Sequence, residues 1–126
     1  MKMIIGGAFQ GKAFYAKEKF PNVNWKKGEE LTLEELLECE GVIGFHEFIK
    51  KEMRAEQDCS YLAELIIKKN PDIVLVSNEV GYGVVPIDAF DRAYREQVGR
   101  ICTKLAAASD EVIRVVCGIG TVIKGA

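Results

Sequence analysis

The stretch that decides the interpretation of this chain is Met3-Ile4-Ile5-Gly6-Gly7-Ala8-Phe9-Gln10-Gly11-Lys12-Ala13. A short apolar run leads into a glycine-containing loop, and the loop opens a segment of helical character that reaches Phe20. A G-x-x-x-x-G-K pattern between a strand and a helix is typical of phosphate binding, because glycines let successive N–H groups point at one place. The helix start adds partial positive charge and Lys12 adds a full one. We therefore predict a phosphate-binding loop made of Gly6, Gly7, Ala8, Phe9, Gln10, Gly11, Lys12 and Ala13.

Ala13 departs from the phosphate-binding pattern. Ser or Thr normally follows the lysine, because its hydroxyl ligates the magnesium that the nucleotide carries. The methyl group of Ala13 cannot ligate a metal. The sequence predicts that the loop cradles phosphate, with magnesium binding weakened, and it leaves open whether the chain catalyses a reaction.

The amino-acid composition is that of an ordinary globular protein. It has 126 residues, 48% apolar and 29% charged, with a formal net charge of -2. We predict a single nucleotide-binding domain over residues 1–126, with no nucleic-acid partner, because a polybasic signal is missing. No apolar run approaches the ~20 residues that span a membrane, and the opening residues lack the shape of a signal peptide. Four scattered cysteines and one histidine offer no metal-ligand pattern, so we expect a cytoplasmic protein without a metal-ligating set.

Strand and helix signals alternate along the chain, which predicts an α/β fold with a mostly parallel sheet. Ile73 to Val76 is the strongest strand signal, and its apolarity on both faces suits a central parallel strand. Asn22 to Glu30, which contains Trp25, reads as a polar loop. The predicted strands are 2–6, 42–45, 73–76, 110–117 and, as an edge strand, 121–124. The predicted helices are 12–20, 33–39, 46–58, 61–69 and 88–108.

Asn78 and Glu79 follow the predicted central strand. Ligands of open α/β sheets bind outside the carboxyl ends of the strands, so this pair is expected to face the phosphate-binding loop. Glu79 is the candidate for orienting a substrate hydroxyl or a metal-bound water; the alternative is a loop carboxylate that caps the next helix. His46 reads as a surface or helix-start residue, with a general-base or nucleotide-accepting role as the minority interpretation.

The second half of the chain resembles a known family. Val74-Leu75-Val76-Ser77-Asn78-Glu79-Val80-Gly81-Tyr82-Gly83-Val84-Val85-Pro86 is similar to the N-E-V-G-x-G-x-V-P segment of the adenosylcobinamide kinase / adenosylcobinamide-phosphate guanylyltransferase family. The segments 94–100, 105–112 and 115–124 fit the helix, strand and G-I-G…K ending that follow, and Gly6 to Lys12 fits the family's nucleotide loop. The resemblance covers roughly residues 1–20 and 72–124.

The resemblance implies a P-loop NTPase-like three-layer fold and a role in cobalamin assembly. Family members phosphorylate adenosylcobinamide with a nucleotide, then transfer GMP through a guanylylated histidine, and are commonly oligomeric. It implies ATP or GTP as the nucleotide, Lys12 and Glu79 as catalytic residues, and a homo-oligomer. It also implies substrate contacts from Asn78, Gly81, Arg95 and Arg100, with ion pairs on a solvated face as the alternative for the arginines.

The chain also departs from the family. Gln10 and Ala13 replace two serines of the loop, and the segment that carries the guanylylated histidine is missing between Phe20 and Trp25. His46 follows Trp25, so it does not inherit that role. Two hypotheses result: a kinase that phosphorylates a corrinoid hydroxyl, or a nucleotide- or corrinoid-binding module without turnover. A third is a vestigial loop in a domain that acts through oligomer contacts.

Overall fold

The computed structural model describes residues 1–79 and 88–125. The strands are β1 (Lys2–Gly6), β2 (Trp25–Lys27), β3 (Gly41–Ile43), β4 (Val74–Asn78), β5 (Glu111–Val116) and β6 (Ile119–Lys124). The helices are α1 (Lys12–Lys19), α2 (Leu33–Leu36), α3 (Phe45–Arg54), α4 (Leu62–Lys69) and α5 (Ala89–Ala108). A 3-10 turn (Gly28–Glu30) lies between β2 and α2.

The six strands form one sheet in the order β2-β3-β4-β1-β5-β6. β1 pairs in parallel with β4 on one side and with β5 on the other, so the strand that leads into the loop lies inside the sheet. β6 closes one edge as the antiparallel partner of β5. The predicted mostly parallel sheet, with a C-terminal edge strand, is therefore confirmed.

Successive residues of β1 point to opposite faces of the sheet and are apolar on both. Met3 belongs to a core cluster with residues of α2, α3, α4 and α5, and Ile5 packs against that cluster, whereas Ile4 clusters on the other face with Ala16 of α1. β4 repeats this alternation with Leu75 and Val76. A strand that is buried on both faces needs helices on both, and the structure provides them. The predicted three-layer α/β architecture, with a P-loop-like strand–loop–helix unit at its centre, is confirmed.

Several local predictions differ from the structure. The strand predicted over 42–45 ends at Ile43, because Phe45 begins α3, and the helix predicted over 46–58 ends at Arg54. The segment predicted as a polar loop, Asn22 to Glu30, contains the short edge strand β2, which pairs with β3. Its alternation is too short to read from sequence, and the pairing is supported by Trp25, whose ring packs against Gly41. The helix predicted over 33–39 ends at Leu36, although its capping box is present: Thr32 Oγ1 accepts from the Glu35 N–H at 3.2 Å.

Candidate functional site

The loop between β1 and α1 depends on two glycines. Gly11 adopts φ +81°, a left-handed conformation that favours glycine, and it is the N-cap of α1. A Cβ at Gly6 would lie 2.5 Å from the Val115 carbonyl oxygen and 3.2 Å from Cδ of Lys12. The first N–H groups of a helix have no intrahelical acceptor, so the start of α1 presents donors beside this loop. The sequence-predicted loop therefore lies at a helix start, as the pattern requires, and phosphate binding by it stays a prediction.

Lys12 lies at the first position of α1 with its side chain largely covered. The residue is 8% exposed, and Nζ donates to the Gly7 carbonyl oxygen at 2.7 Å. Burial lowers the pKa of Lys12, and the negative charge of Glu79 partly offsets that effect. An anion at the loop would favour the charged ammonium, since an opposite charge nearby stabilises it.

Gln10 ties the loop to the turn between β5 and β6. Its Oε1 accepts from the Cys117 N–H at 2.7 Å, and its carbonyl oxygen accepts from the Gly118 N–H at 2.8 Å. The Gln10 side chain thus acts as an anchor for the loop. The loop is held from the β5 side and stays open toward β3 and β4.

His46 lies at the start of α3, as one of the two sequence interpretations had it, and it lines the site although it was not among the predicted site residues. It is a buried residue at the start of α3, not a surface one, and it lines a cavity of about 260 Å³ together with the loop. Its Nδ1 accepts from the Asn78 N–H at 3.1 Å, and Nε2 lies 3.3 Å from Glu47 Oε1. Burial lowers the pKa of His46, and Lys12 and Lys50 add to that, whereas Glu47 acts in the opposite direction. His46 is therefore a neutral imidazole at pH 7.

We call this cavity the loop cavity. The loop lines one side of it, and residues at the carboxyl ends of β3 and β4 line the other. The described residues that line it are Phe9, Gln10, Gly11, Lys12, Ala13, Phe14, Ile43, Gly44, His46, Val76 and Asn78. The predicted neighbourhood of Asn78 and the phosphate-binding loop is thus present in the structure.

Glu79 is oriented differently from the sequence expectation. Its carboxylate receives two hydrogen bonds from Arg114, Nε to Oε1 at 2.7 Å and Nη2 to Oε2 at 3.2 Å. It lines a second cavity, not the loop cavity, although its charge still acts on Lys12. Its backbone N–H donates to the Gly6 carbonyl oxygen at 2.7 Å, which fixes it beside the start of the loop. A catalytic role for Glu79 stays a prediction.

The remaining predicted substrate contacts are not brought to the loop cavity. Arg95 pairs with Asp91 at 3.3 Å, and Arg100 pairs with Glu96 on the exposed side of α5. These pairs match the solvated-face alternative, and substrate contacts from the two arginines stay predictions. Gly81 lies outside the described residues.

The sequence held a usable signal for His46 and none for Arg114. Ligands of open α/β sheets bind outside the carboxyl ends of the strands, and this rule selected Asn78. It applies equally to His46, which follows β3 at the same edge of the sheet. Arg114 lies within β5, and only the register that places it beside Ile5 of β1 brings it to Glu79. Register between strands distant in sequence is not encoded in a local pattern.

The donor set fits a phosphate better than a magnesium ion. Position 13 offers a methyl group, and the nearby carboxylates of Glu47 and Glu79 are paired with His46 and Arg114. Within residues 1–79 and 88–125, His, Cys, Asp and Glu side chains form no group of three that could hold a metal. Lys12 and the start of α1 suit nucleotide phosphates, whereas Ala13 supplies no magnesium ligand.

Together, the fold and this site define an α/β protein with a glycine-containing strand–loop–helix unit at the carboxyl edge of a mostly parallel sheet. The family described as "Cobinamide kinase / cobinamide phosphate guanyltransferase" matches residues 23–123. Because the match covers most of the chain, the chain belongs to this family.

Two curated relatives match over a shorter stretch. The "Bifunctional adenosylcobalamin biosynthesis protein CobU" of Salmonella typhimurium is 54% identical over 52 residues, and that of Escherichia coli is 52% identical over 52 residues. Each alignment covers 41% of this chain and only 29% of the relative.

A solved structure is similar at low identity. "P4 protein from bacteriophage phi6 in complex with ADP" shares 14% identity with a TM-score of 0.47, over 95% of this chain and 52% of that one. That level of likeness is too low to assign a function. In the part of the chain that the structure describes, no helix is both long and apolar enough to cross a membrane.

Proposed function

We propose that this chain binds ATP or GTP through its loop and transfers a phosphoryl group to a hydroxyl of cobinamide, in cobalamin biosynthesis. The observation that carries the proposal is the buried Lys12 at the start of α1, beside a cavity lined by the loop and by the ends of β3 and β4. Family membership supports the choice of cobinamide as acceptor.

In this proposal Lys12 and the loop amides stabilise the negative charge of the phosphoryl group while it is transferred from the nucleotide to the acceptor. Preorganised donors aimed at developing charge are the main source of catalysis in phosphoryl transfer. Lys12 leaves the Gly7 carbonyl oxygen and pairs with the phosphates. His46 supports the opposite wall, since its Nδ1 fixes the Asn78 backbone and leaves the Asn78 amide side chain for the ligand. Glu79 takes the proton of the attacking hydroxyl.

The guanylyl half of the family's activity is not part of this proposal. The family transfers GMP through a histidine in a segment that this chain lacks, and His46 is engaged through Nδ1 with Asn78. Ala13 favours the second candidate, a nucleotide- or corrinoid-binding module without turnover. Its methyl group removes the hydroxyl that would hold magnesium against the phosphates.

Titrations of ATP and GTP in EDTA and in magnesium separate these candidates. Binding that tightens with magnesium, together with transfer of labelled γ-phosphate to cobinamide, supports the kinase. Equal nucleotide affinity in EDTA and in magnesium, without transfer of the phosphate, supports the module. A chain that binds neither nucleotide refutes the kinase and the nucleotide-binding form of the module.

Substitution at position 13 makes the test sharper. Ala13→Thr restores a hydroxyl, and Ala13→Val is its isosteric control with a methyl group instead. Transfer that appears only in Ala13→Thr identifies the natural chain as a non-catalytic relative. Equal transfer in the wild type and Ala13→Val shows that the hydroxyl is dispensable.

We further propose that the chain is a homo-oligomer. Edge strand β6 exposes Ile119, Val122 and Ile123, and exposed apolar edge strands tend to associate. Light scattering should give an integer multiple of the 14.0 kDa chain mass. Ile119→Lys should lower that multiple, whereas a wild-type mass of one chain refutes the proposal.

A further inference from the structure

A second and larger cavity lies on the α5 face of the sheet. Its volume is about 540 Å³, within the range of roughly 300–1,000 Å³ for small-molecule sites. We call it the α5 cavity. The described residues that line it are Met3, Ile5, Asn78, Glu79, Val98, Gly99, Cys102, Thr103, Ala106, Val112, Arg114 and Ile123.

The lining of the α5 cavity carries no net charge among the described residues. Glu79 and Arg114 are its two charged members there, and they pair bidentately. Burial raises the pKa of the Cys102 thiol to about 11, so it is neutral at pH 7. The floor is aliphatic, with Met3 and Ile5 from β1. A cavity of this kind suits a neutral molecule, because an unpaired ion there would lose its hydration without gaining a counter-charge.

The α5 cavity meets the loop cavity at Asn78, which lines both. Glu79 stands at the same junction, since its N–H is bonded to the Gly6 carbonyl oxygen where the loop begins. An ionised carboxylate has about four lone-pair sites, so pairing with Arg114 leaves capacity to accept from a hydroxyl. Asn78 and Glu79 thus place polar groups of the α5 cavity beside the start of the loop.

We propose that the α5 cavity receives the uncharged, aliphatic, hydroxyl-bearing arm of the acceptor, with its hydroxyl presented at Asn78 and Glu79. This inference rests on the proposed function. The hydroxyl oxygen forms a bond to the γ-phosphorus, and the bond from that phosphorus to the bridging oxygen breaks. The nucleoside diphosphate leaves with the electron pair, and the hydroxyl proton moves to the Glu79 carboxylate.

Gly99 offers a direct way to block the α5 cavity. A Cβ built at Gly99 meets no atom within 4 Å, so a side chain there enters open space at the cavity wall. We therefore expect Gly99→Phe to narrow the cavity without a backbone clash at Cβ. Ala93→Phe is the matched control, since Ala93 is exposed on the same helix and does not line the described cavities. Thr103→Phe, from a second exposed lining position, repeats the block independently.

The experiment measures two affinities for each variant: cobinamide by equilibrium dialysis, and N-methylanthraniloyl-ATP by fluorescence. We expect Gly99→Phe and Thr103→Phe to weaken cobinamide binding by more than about tenfold and to leave nucleotide binding unchanged. Ala93→Phe should match the wild type in both. Circular dichroism melts confirm that each variant folds.

The outcomes separate this inference from the proposed function. If both blocking variants bind cobinamide as the wild type does, the α5 cavity is not the acceptor site, and the proposed function stands. If the wild type binds the nucleotide but no cobinamide, the inference is overturned together with the choice of acceptor. If the wild type binds no nucleotide, the proposed function is wrong, whether or not the chain binds cobinamide.

Discussion

Replacing Lys12 by Met tests the loop with the smallest change of shape. The ammonium lies within the loop, with Nζ 2.7 Å from the Gly7 carbonyl oxygen, so a bound phosphate meets it at close range. Two unit charges about 4 Å apart attract by about 4 kcal/mol at an effective dielectric of about 20. Since the ammonium gives up its bond to Gly7, we use the net value of a charged hydrogen bond, about 1.5–3 kcal/mol. This predicts ATP binding weaker by about 10- to 150-fold.

The assay is displacement of N-methylanthraniloyl-ADP by ATP in EDTA, which removes any contribution from magnesium. Lys17→Met is the matched control, because Lys17 is exposed on the same helix. Burial of the Lys12 ammonium costs stability, as the lowered pKa shows, so Lys12→Met should melt no lower than the wild type. Equal affinity of Lys12→Met and the wild type, or an equal loss in Lys17→Met, would refute the reasoning.

Three further predictions concern the scaffold. Gly6→Ala should destabilise the chain by about 1–3 kcal/mol in urea unfolding, because its Cβ would lie 2.5 Å from the Val115 carbonyl oxygen; an unchanged midpoint would contradict the close approach of β5. Thr32→Ala should cost about 1 kcal/mol through loss of the capping box, with Glu34→Ala, which keeps the cap, as its control. Burial lowers the pKa of His46, so the stability that it contributes is complete above its ordinary value of 6.5 and declines as the pH falls below it. His46→Gln should flatten the pH dependence of the melting temperature in that range, and an identical slope in both proteins would count against a buried neutral imidazole.

The sheet and its helices were predictable because each signal is local. Ile73 to Val76 is apolar on both faces, and such a run fits only the interior of a sheet with helices on each side. The helix ends were predictable where a side chain fixes them, as Asp88 does by accepting from the Phe90 N–H at 2.7 Å. Strand β2 was missed because three residues are too few to show alternation, and its stability comes from contacts with β3.

The site was predictable only in part, for the same physical reason. The loop is a contiguous motif, so its residues and the start of α1 follow from the sequence. The partners of Glu79 and Gln10 are Arg114 and the turn after β5, and each pair is far apart along the chain. Such contacts depend on strand register, which a single sequence does not reveal. His46 could have been found from the rule that ligands bind outside the carboxyl ends of parallel strands, if it had been applied to β3 as well as to β4.

Amide NMR tests most directly whether the loop binds phosphate. The measurement is a ¹⁵N–¹H titration of the wild-type chain with ATP in EDTA, followed residue by residue. We expect the largest shift changes at the N–H groups of Gly7 to Ala13, with smaller changes at His46 and Asn78 across the loop cavity. If ATP binds but the amide chemical shifts of the loop do not change, or if only residues remote from Lys12 change, the central claim is wrong.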